Sequence, residues 1–279
     1  MNARKKQTIQ RVILEIVLIL VACVYIYPVF LMFTNSFKSF GEVISNVLTL
    51  PEKLEIQNYI DVIQKMNYPR LFLNNVVITV IGMVGIVLFS TMAAYILDRR
   101  TGRFIRIART LITTPMLIPF QTIMITLLKA MNLFHLSGST WGLGIQYWGF
   151  GIPMAAFICC NFMKSIPREI DESAFIDGAS TFQTYRYIIF PLLKPVTATV
   201  VVLDVMWIWN DFLLPLLMVN NSPNTKTLVL SAYTFVGQFN TQWHYAMTAM
   251  VLAVLPSIVF FIAFQKQIVE GVVSGAVKG

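Results

Sequence analysis

Charge is what this 279-residue chain has least of: Asp, Glu, Lys and Arg together make up 12% of it, against the roughly 25% of soluble globular domains. That composition excludes an ordinary soluble domain and places the chain among membrane proteins. Cysteine and histidine are also scarce. Cys23, Cys159 and Cys160 all lie in apolar runs without a Cys-x-x-Cys pair, so they read as small buried hydrophobes and exclude a disulfide framework. His135 and His244 stand far apart with no ligand spacing, and neither a metal nor another cofactor is expected on this chain. No phosphate loop of the form Gly-x-x-x-x-Gly-Lys-Ser/Thr occurs, which excludes ATP hydrolysis by the usual fold. No nucleophile–base pair with working spacing appears within the apolar segments, so an intramembrane enzyme is excluded as well. The net charge of +8 does not indicate nucleic acid, because the basic residues lie between apolar runs instead of forming one basic face.

What the chain has in abundance is apolar length: 57% of its residues are hydrophobic. About 20 apolar residues in a helix cross a 30 Å hydrocarbon core, and six segments reach that length. They run approximately over Val12–Phe33, Phe72–Leu97, Ile107–Leu128, Trp141–Met163, Val196–Met218 and Tyr245–Gln265. Lipid offers backbone groups no partner, so these must be helices, and the fold class is an all-α integral membrane protein with six transmembrane helices. Arg4-Lys5-Lys6 before an apolar run, with Leu20-Val21-Ala22-Cys23 behind it, looks like a cleavable leader. The uncharged run from Ile16 to Phe37 is longer than a leader's core of about 7–15 residues, so an uncleaved first helix is expected. Gly149, Gly151 and Pro153 should distort the fourth span locally.

Basic residues set the orientation. Fifteen of the 21 Lys and Arg fall in the N-terminus, the 99–109 and 164–194 segments and the tail, which places these inside and both termini in the cytoplasm. The first outside segment, Thr34 to Arg70, is expected to hold a short amphipathic piece near Ile56–Ile63 and no soluble domain. The expected organisation is residues 1–71 for the N-terminus, first helix and outer segment, 72–265 for a five-helix core containing a loop at 165–191, and 266–279 for a cytoplasmic tail.

That loop stands out. Four carboxylates, Glu169, Asp171, Glu172 and Asp177, fall within nine residues, and each would cost roughly 2.5–3.5 kcal/mol in lipid. The loop therefore lies in water or against another protein. Ser165 or Asp171 could cap a short helix there, Gly178 permits a sharp turn, a second short helix follows over Thr181–Ile188, and Pro191 marks re-entry. Phe175, Ile176, Phe182, Tyr185 and Tyr187 interleave with the charges, a mixture that suits docking. In the fifth span, Asp204 and Asp211 are seven residues apart and should share a helix face. With Trp207 and Asn210 they could line a substrate pathway, rings stacking on sugar C–H faces and carboxylates taking hydroxyls, or they could pair structurally.

The loop resembles the cytoplasmic Glu-Ala-Ala loop of permease subunits in bacterial binding-protein-dependent ABC importers. That pattern has Glu-Ala-Ala, three residues, Gly, nine residues, Ile, one residue and Leu-Pro. Here it is met by Glu172-Ser173-Ala174, Gly178, Ile188 and Phe190-Pro191, with Ser173 and Phe190 as departures. Trp209-Asn210-Asp211-Phe212 is similar to a segment of carbohydrate permeases, and the Gly275-Ala276-Val277-Lys278-Gly279 ending is similar to that of maltose-type permeases. The likeness covers the chain from about Phe72 onward. It implies a type I ABC importer permease fold in a bacterial inner membrane. It also implies ATPase coupling through Glu172, Ala174, Asp177, Gly178, Ala179 and Pro191, with Gly275 and Lys278 of the tail reaching the ATPase. The implied partners are a second permease subunit, a cytoplasmic ATPase dimer carrying ATP and Mg, and an extracytoplasmic solute-binding protein that delivers a sugar, besides membrane lipid. The alternative reading is an ion-coupled secondary transporter using Asp204 and Asp211, for which inverted repeats would speak; none is visible.

Overall fold

The computed structural model describes residues 3–237 and 241–276, and every regular element among the described residues is helical. The chain divides into two compact units, Met1–Tyr68 with Ser231–Ala253, and Pro69–Leu230 with Val254–Gly279.

The first unit opens with α1 (Ala3–Asn35). Its apolar window has a mean hydropathy of 2.7 and no buried residue, so lipid or another chain must cover it on every face. Beyond α1 the expected outer segment is more ordered than its polarity suggests. Ser39 caps α2 (Phe40–Ser45), with Glu42 closing a reciprocal capping box. The amphipathic piece is α3 (Gln57–Met66), which buries Val62 and Met66. Lys38 is fully buried; its Nζ donates to the Asn46 carbonyl at 2.9 Å and the Thr49 hydroxyl at 3.3 Å. Asn58 Nδ2 donates to the carbonyls of Ser36 and Lys38. Asp61 accepts from Tyr245 Oη at 2.5 Å and from Gln57 Nε2 at 2.7 Å. The tyrosine hydrogen bond, followed by the Gln57 one, holds the Asp61 carboxyl below the usual range. The tertiary contacts were not legible locally, because partners of Asp61 and of the Ser36 carbonyl lie at Tyr245 and Thr248.

The second unit contains α4 (Tyr68–Arg99, from its second residue), α5 (Arg103–Thr113), α6 (Phe120–Leu133) and α7 (Thr140–Met163). After these come α8 (Glu169–Ile176), α9 (Thr181–Thr184), α10 (Phe190–Leu192), α11 (Lys194–Asn210) and α12 (Leu213–Val219). α13 (Leu228–Ala232) and α14 (Trp243–Ala276) complete the chain, each with residues in both units. α4 and α7 approach closely through missing side chains. A Cβ on Gly85 would stand 2.1 Å from the Trp148 ring, and one on Gly151 would stand 2.3 Å from Ile86. Trp148 Nε1 donates to the Ile81 carbonyl at 2.8 Å, fixing the register of this contact. Small residues let helix backbones approach where lipid supplies no hydrophobic drive.

Among the described residues, four helices are long and apolar enough to cross a membrane alone, and six spans result if each of two bent pairs counts as one. The third expected span is such a pair: α5, a short 3₁₀ turn and α6, bent by 105°. Pro115 and Pro119 lie at the bend, where each removes a backbone donor. The fifth expected span is also broken. α11 stops at Asn210 instead of running to Met218, and ahead of the expected start at Val196 it is joined to Thr181–Leu192 by a 72° bend at Leu193, between Pro191 and Pro195. The fourth, α7, runs unbroken past Gly149, Gly151 and Pro153, so those residues do not interrupt it; neighbouring helices re-satisfy what a membrane proline frees.

Candidate functional site

Two places in the second unit concentrate polar groups: the loop between α7 and α11, and the break after Asn210. In the loop, neither Ser165 nor Asp171 caps α8. Ser165 Oγ donates back to the Phe162 carbonyl, Arg168 is the cap residue without a side-chain bond, and Asp171 is buried. Glu169, Asp171 and Glu172 do occupy the first turn, where the helix dipole favours them.

The Asp171 carboxylate accepts from Arg99 Nε, at the end of α4, at 2.8 Å. Arg99 Nη1 donates to Asp98 Oδ2 at 2.8 Å and Nη2 to the Ile166 carbonyl at 3.0 Å. The last carbonyls of α4 are satisfied by two further arginines, Arg168 Nη2 on Asp98 O at 2.9 Å and Arg109 Nη2 on Leu97 O at 2.6 Å. α8 is therefore bolted to the end of α4 by a charge-assisted pair whose side chains are 10% and 7% exposed. Beside it lies a cleft of about 230 Å³ lined by Tyr95, Arg100, Arg168, Asp171, Glu172 and Phe175, among others.

α8 ends in a Schellman motif. Gly178, at φ +83°, follows the cap residue Asp177; its N–H meets the Phe175 carbonyl at 3.1 Å, and the Ala179 N–H meets the Ala174 carbonyl at 2.9 Å. Ser180 and Gln183 then form a capping box that starts α9, a signature readable in the sequence as Ser-x-x-Gln. A π-helical turn over Tyr185–Ile189 leads to α10, with Pro191 in its first turn.

This scaffold sorts the loop's side chains. Ala174 is buried, whereas Glu172, Asp177 and Gly178 are exposed and Ala179 and Pro191 are intermediate. Phe175, Ile176, Phe182 and Tyr187 point outward at 47%, 86%, 63% and 73% exposure. Tyr185 does not join them; it is buried, with its hydroxyl 2.8 Å from Thr91 Oγ1. The result is an apolar patch edged by carboxylates on a rigid helix–turn–helix.

At the break after α11, Asp204 and Asp211 stand seven residues apart, the first inside the helix and the second at its C-cap. Asp204 is buried within α11, but Asp211 has left the helix, with ψ 138°. Its Oδ1 accepts from the Leu213 N–H at 3.1 Å, and its Oδ2 accepts from Tyr147 Oη at 2.9 Å. Tyr147 also packs edge-on against Trp207 at 5.3 Å, so Trp207 and Asp211 are brought together through α7. Asn210 accepts from Ser257 Oγ at 3.2 Å. From α4, Asn75 Nδ2 donates to the Trp209 carbonyl at 3.3 Å, and Asn75 Oδ1 accepts from the Leu228 N–H at 2.9 Å. Side chains from α4, α7 and α14 thus converge on one helix break. Arg99, Asn75 and Tyr147 were not singled out from the sequence, since nothing local distinguishes them from other residues in a span or at its end.

Among the described residues no group of three or more His, Cys, Asp or Glu is placed to hold a metal. Of the tail residues, Gly275 falls in the last turn of α14, whose side chains lie outside the described part, and Lys278 lies outside the described residues.

Residues 86–273 match the family described as binding-protein-dependent transport system inner membrane component. The chain is 38% identical over 274 residues to the probable starch degradation products transport system permease protein AmyC of Thermoanaerobacterium thermosulfurigenes, covering 98% of this chain and 99% of that one. It is 34% identical over 254 residues to the multiple sugar-binding transport system permease protein MsmG of Streptococcus mutans, covering 90% and 91%. Among solved structures, a bacterial ABC transporter involved in the import of the acidic polysaccharide alginate contains a chain of the same fold, with TM-score 0.80 at 21% identity, covering 95% of this chain and 98% of that one.

Proposed function

This chain belongs to the family of binding-protein-dependent transport system inner membrane components, and from that premise we propose that it is one permease subunit of an ATP-driven importer carrying an oligosaccharide or similar sugar. The substrate class rests on its relatives, permeases named for starch degradation products and for multiple sugars. The loop 165–191 faces the cytoplasm with both termini, and there it docks a separate ATPase that holds ATP and Mg. A second permease completes the pathway, and an extracytoplasmic binding protein delivers the sugar to the opposite side.

The observation that carries this reading is the exposed patch of Phe175, Ile176, Phe182 and Tyr187 on a scaffold clamped to α4 by Arg99 and Asp171. Four large exposed apolar side chains beside the loop's carboxylates suit a protein cover, and the clamp lets force on that cover reach the membrane helices. Glu172, Ala174, Asp177, Gly178, Ala179 and Pro191 serve this docking element by shape as much as by contact, Ala174 by packing beneath α8 and Gly178 by its turn. Gly275 and Lys278 bring the C-terminal tail to the same ATPase. Asp204, Trp207 and Asn210 remain the candidates for the sugar pathway. Asp211 serves it indirectly, by holding the helix break. The ion-coupled alternative has no support, since Asp211 is engaged as a helix cap and tyrosine acceptor.

The test is to tag the chain, extract it in mild detergent and identify its stoichiometric companions by mass spectrometry. An ATPase with a phosphate loop together with a second permease is the expected result. Recovery of the chain alone, or only with itself, would overturn the reading.

A further inference from the structure

We propose that α4 is the rod that carries movement of the docking helix α8 to the helix break at Trp209–Phe212, with Arg99 and Asn75 as the positioning residues at its two ends. The inference rests on the proposed docking of an ATPase at α8 and adds the route by which that docking acts.

Both ends of the rod are fastened by buried polar contacts, and the span between them is one uninterrupted helix. Arg99 engages Asp171 of α8 with its Nε and the Ile166 carbonyl before α8 with its Nη2, so α8 cannot shift without moving the end of α4 or breaking a buried pair. Asn75 is 2% exposed and uses both atoms of its amide, donating to Trp209 O and accepting from Leu228 N. These two residues are 24 positions apart on α4, about 36 Å at 1.5 Å per residue. Between them, Gly85 admits the Trp148 ring and Trp148 donates to Ile81 O, so α7 braces the rod along its length. α7 in turn reaches the same break through Tyr147 and Asp211. Coupling over such a distance requires contiguous packed elements with defined contacts at each end, and α4 supplies them. The rival route, directly along the chain from α8 to α11, is interrupted by the π-helical turn at Tyr185–Ile189 and the 72° bend at Leu193, whereas α4 is one unbroken helix.

The test uses the complete importer, this chain with its partner permease, ATPase and binding protein, in proteoliposomes with uptake and ATP hydrolysis measured together. Arg99→Gln, Asp171→Asn and Asn75→Ala should each retain the ATPase on purification yet lower substrate taken up per ATP hydrolysed by roughly tenfold, within the usual range of coupling factors. Combining Arg99→Gln with Asp171→Asn should do no more damage than the worse of the two alone, since they share one contact. An unchanged uptake-to-hydrolysis ratio, or losses that multiply in the double variant, would overturn the proposal. Loss of fold is separated by a measurement that leaves the clamp intact. Spin labels at Ile176 and Leu73, exposed at 86% and 61%, should keep one distance between nucleotide-free and ATP-trapped states, because α8 and α4 move together. A distance that changes through the cycle would overturn the rod. If the unaltered chain recruits no ATPase, the docking reading itself fails; if it couples normally and the variants couple equally well, only the role of α4 fails.

Discussion

At Gly178 the backbone sits at φ +83°, and no atom lies within 4 Å of where a Cβ would be. Space is not the constraint there; conformation is, since an L-residue in the left-handed region costs roughly 1–2 kcal/mol, least for Asn and Asp. Gly178→Asn should therefore preserve the Schellman turn and most uptake. Gly178→Asp keeps the same shape but adds a negative charge beside Asp177, at the negative end of the α8 dipole. We expect it to accumulate in the membrane at normal levels and lose most uptake while ATP hydrolysis persists, read as transport and hydrolysis in vesicles. Equal uptake by the two variants would show that charge at the turn is irrelevant. The turn at Gly178 was legible from the sequence because it is local, and Glu172 through the resemblance of the loop to a known pattern. Arg99 was not: its partner Asp171 is 72 residues away, and no periodicity within α4 signals that one arginine at its end is buried. Removing one member of such a buried pair typically costs about 3–5 kcal/mol.

The helices themselves were legible in proportion to their regularity. α1, α4, α7 and α14 follow from apolar length, and each appears as one continuous element. The third and fifth spans do not, because hydropathy measures how apolar a window is and is blind to direction; a 105° bend leaves the average unchanged. Pro115, Pro119, Pro191 and Pro195 mark the bends, yet Pro153 sits in a helix that stays whole, so proline alone does not decide. Helix pairing is similarly hidden, and the α4–α7 contact shows it most sharply: Gly85 leaves room for an indole that a Cβ would meet at 2.1 Å. Gly85→Ala should destabilise the protein by about 1–3 kcal/mol through overpacking, lowering its melting temperature in detergent. Gly149→Ala, with nothing within 4 Å of its Cβ position, should gain slightly from helix propensity. If both behave alike in the same melting assay, the close packing of α4 on α7 is not what holds this pair.

For the whole molecule, scarcity of charge identified a membrane protein and the loop carried the family likeness, while the distribution of basic residues supplies an expected orientation. The matched relatives extend that likeness over 98% of the chain, including the first helix and outer segment, where no motif had stood out. The order of that outer segment, with its buried Lys38 and the Asp61–Tyr245 bond, comes from tertiary contacts that a composition-based reading passes over as a polar connector. The proposed function requires different partners on the two sides of the membrane: an ATPase at α8, and a binding protein at the segment following α1. A photoreactive amino acid placed singly at Ile176 or at Leu54, exposed at 86% and 61%, tests this in living cells. Ile176 should crosslink to the ATPase and Leu54 to the binding protein or remain free of the ATPase. Crosslinking of the ATPase at Leu54, or no ATPase adduct at Ile176 while the importer is active, would contradict docking at α8.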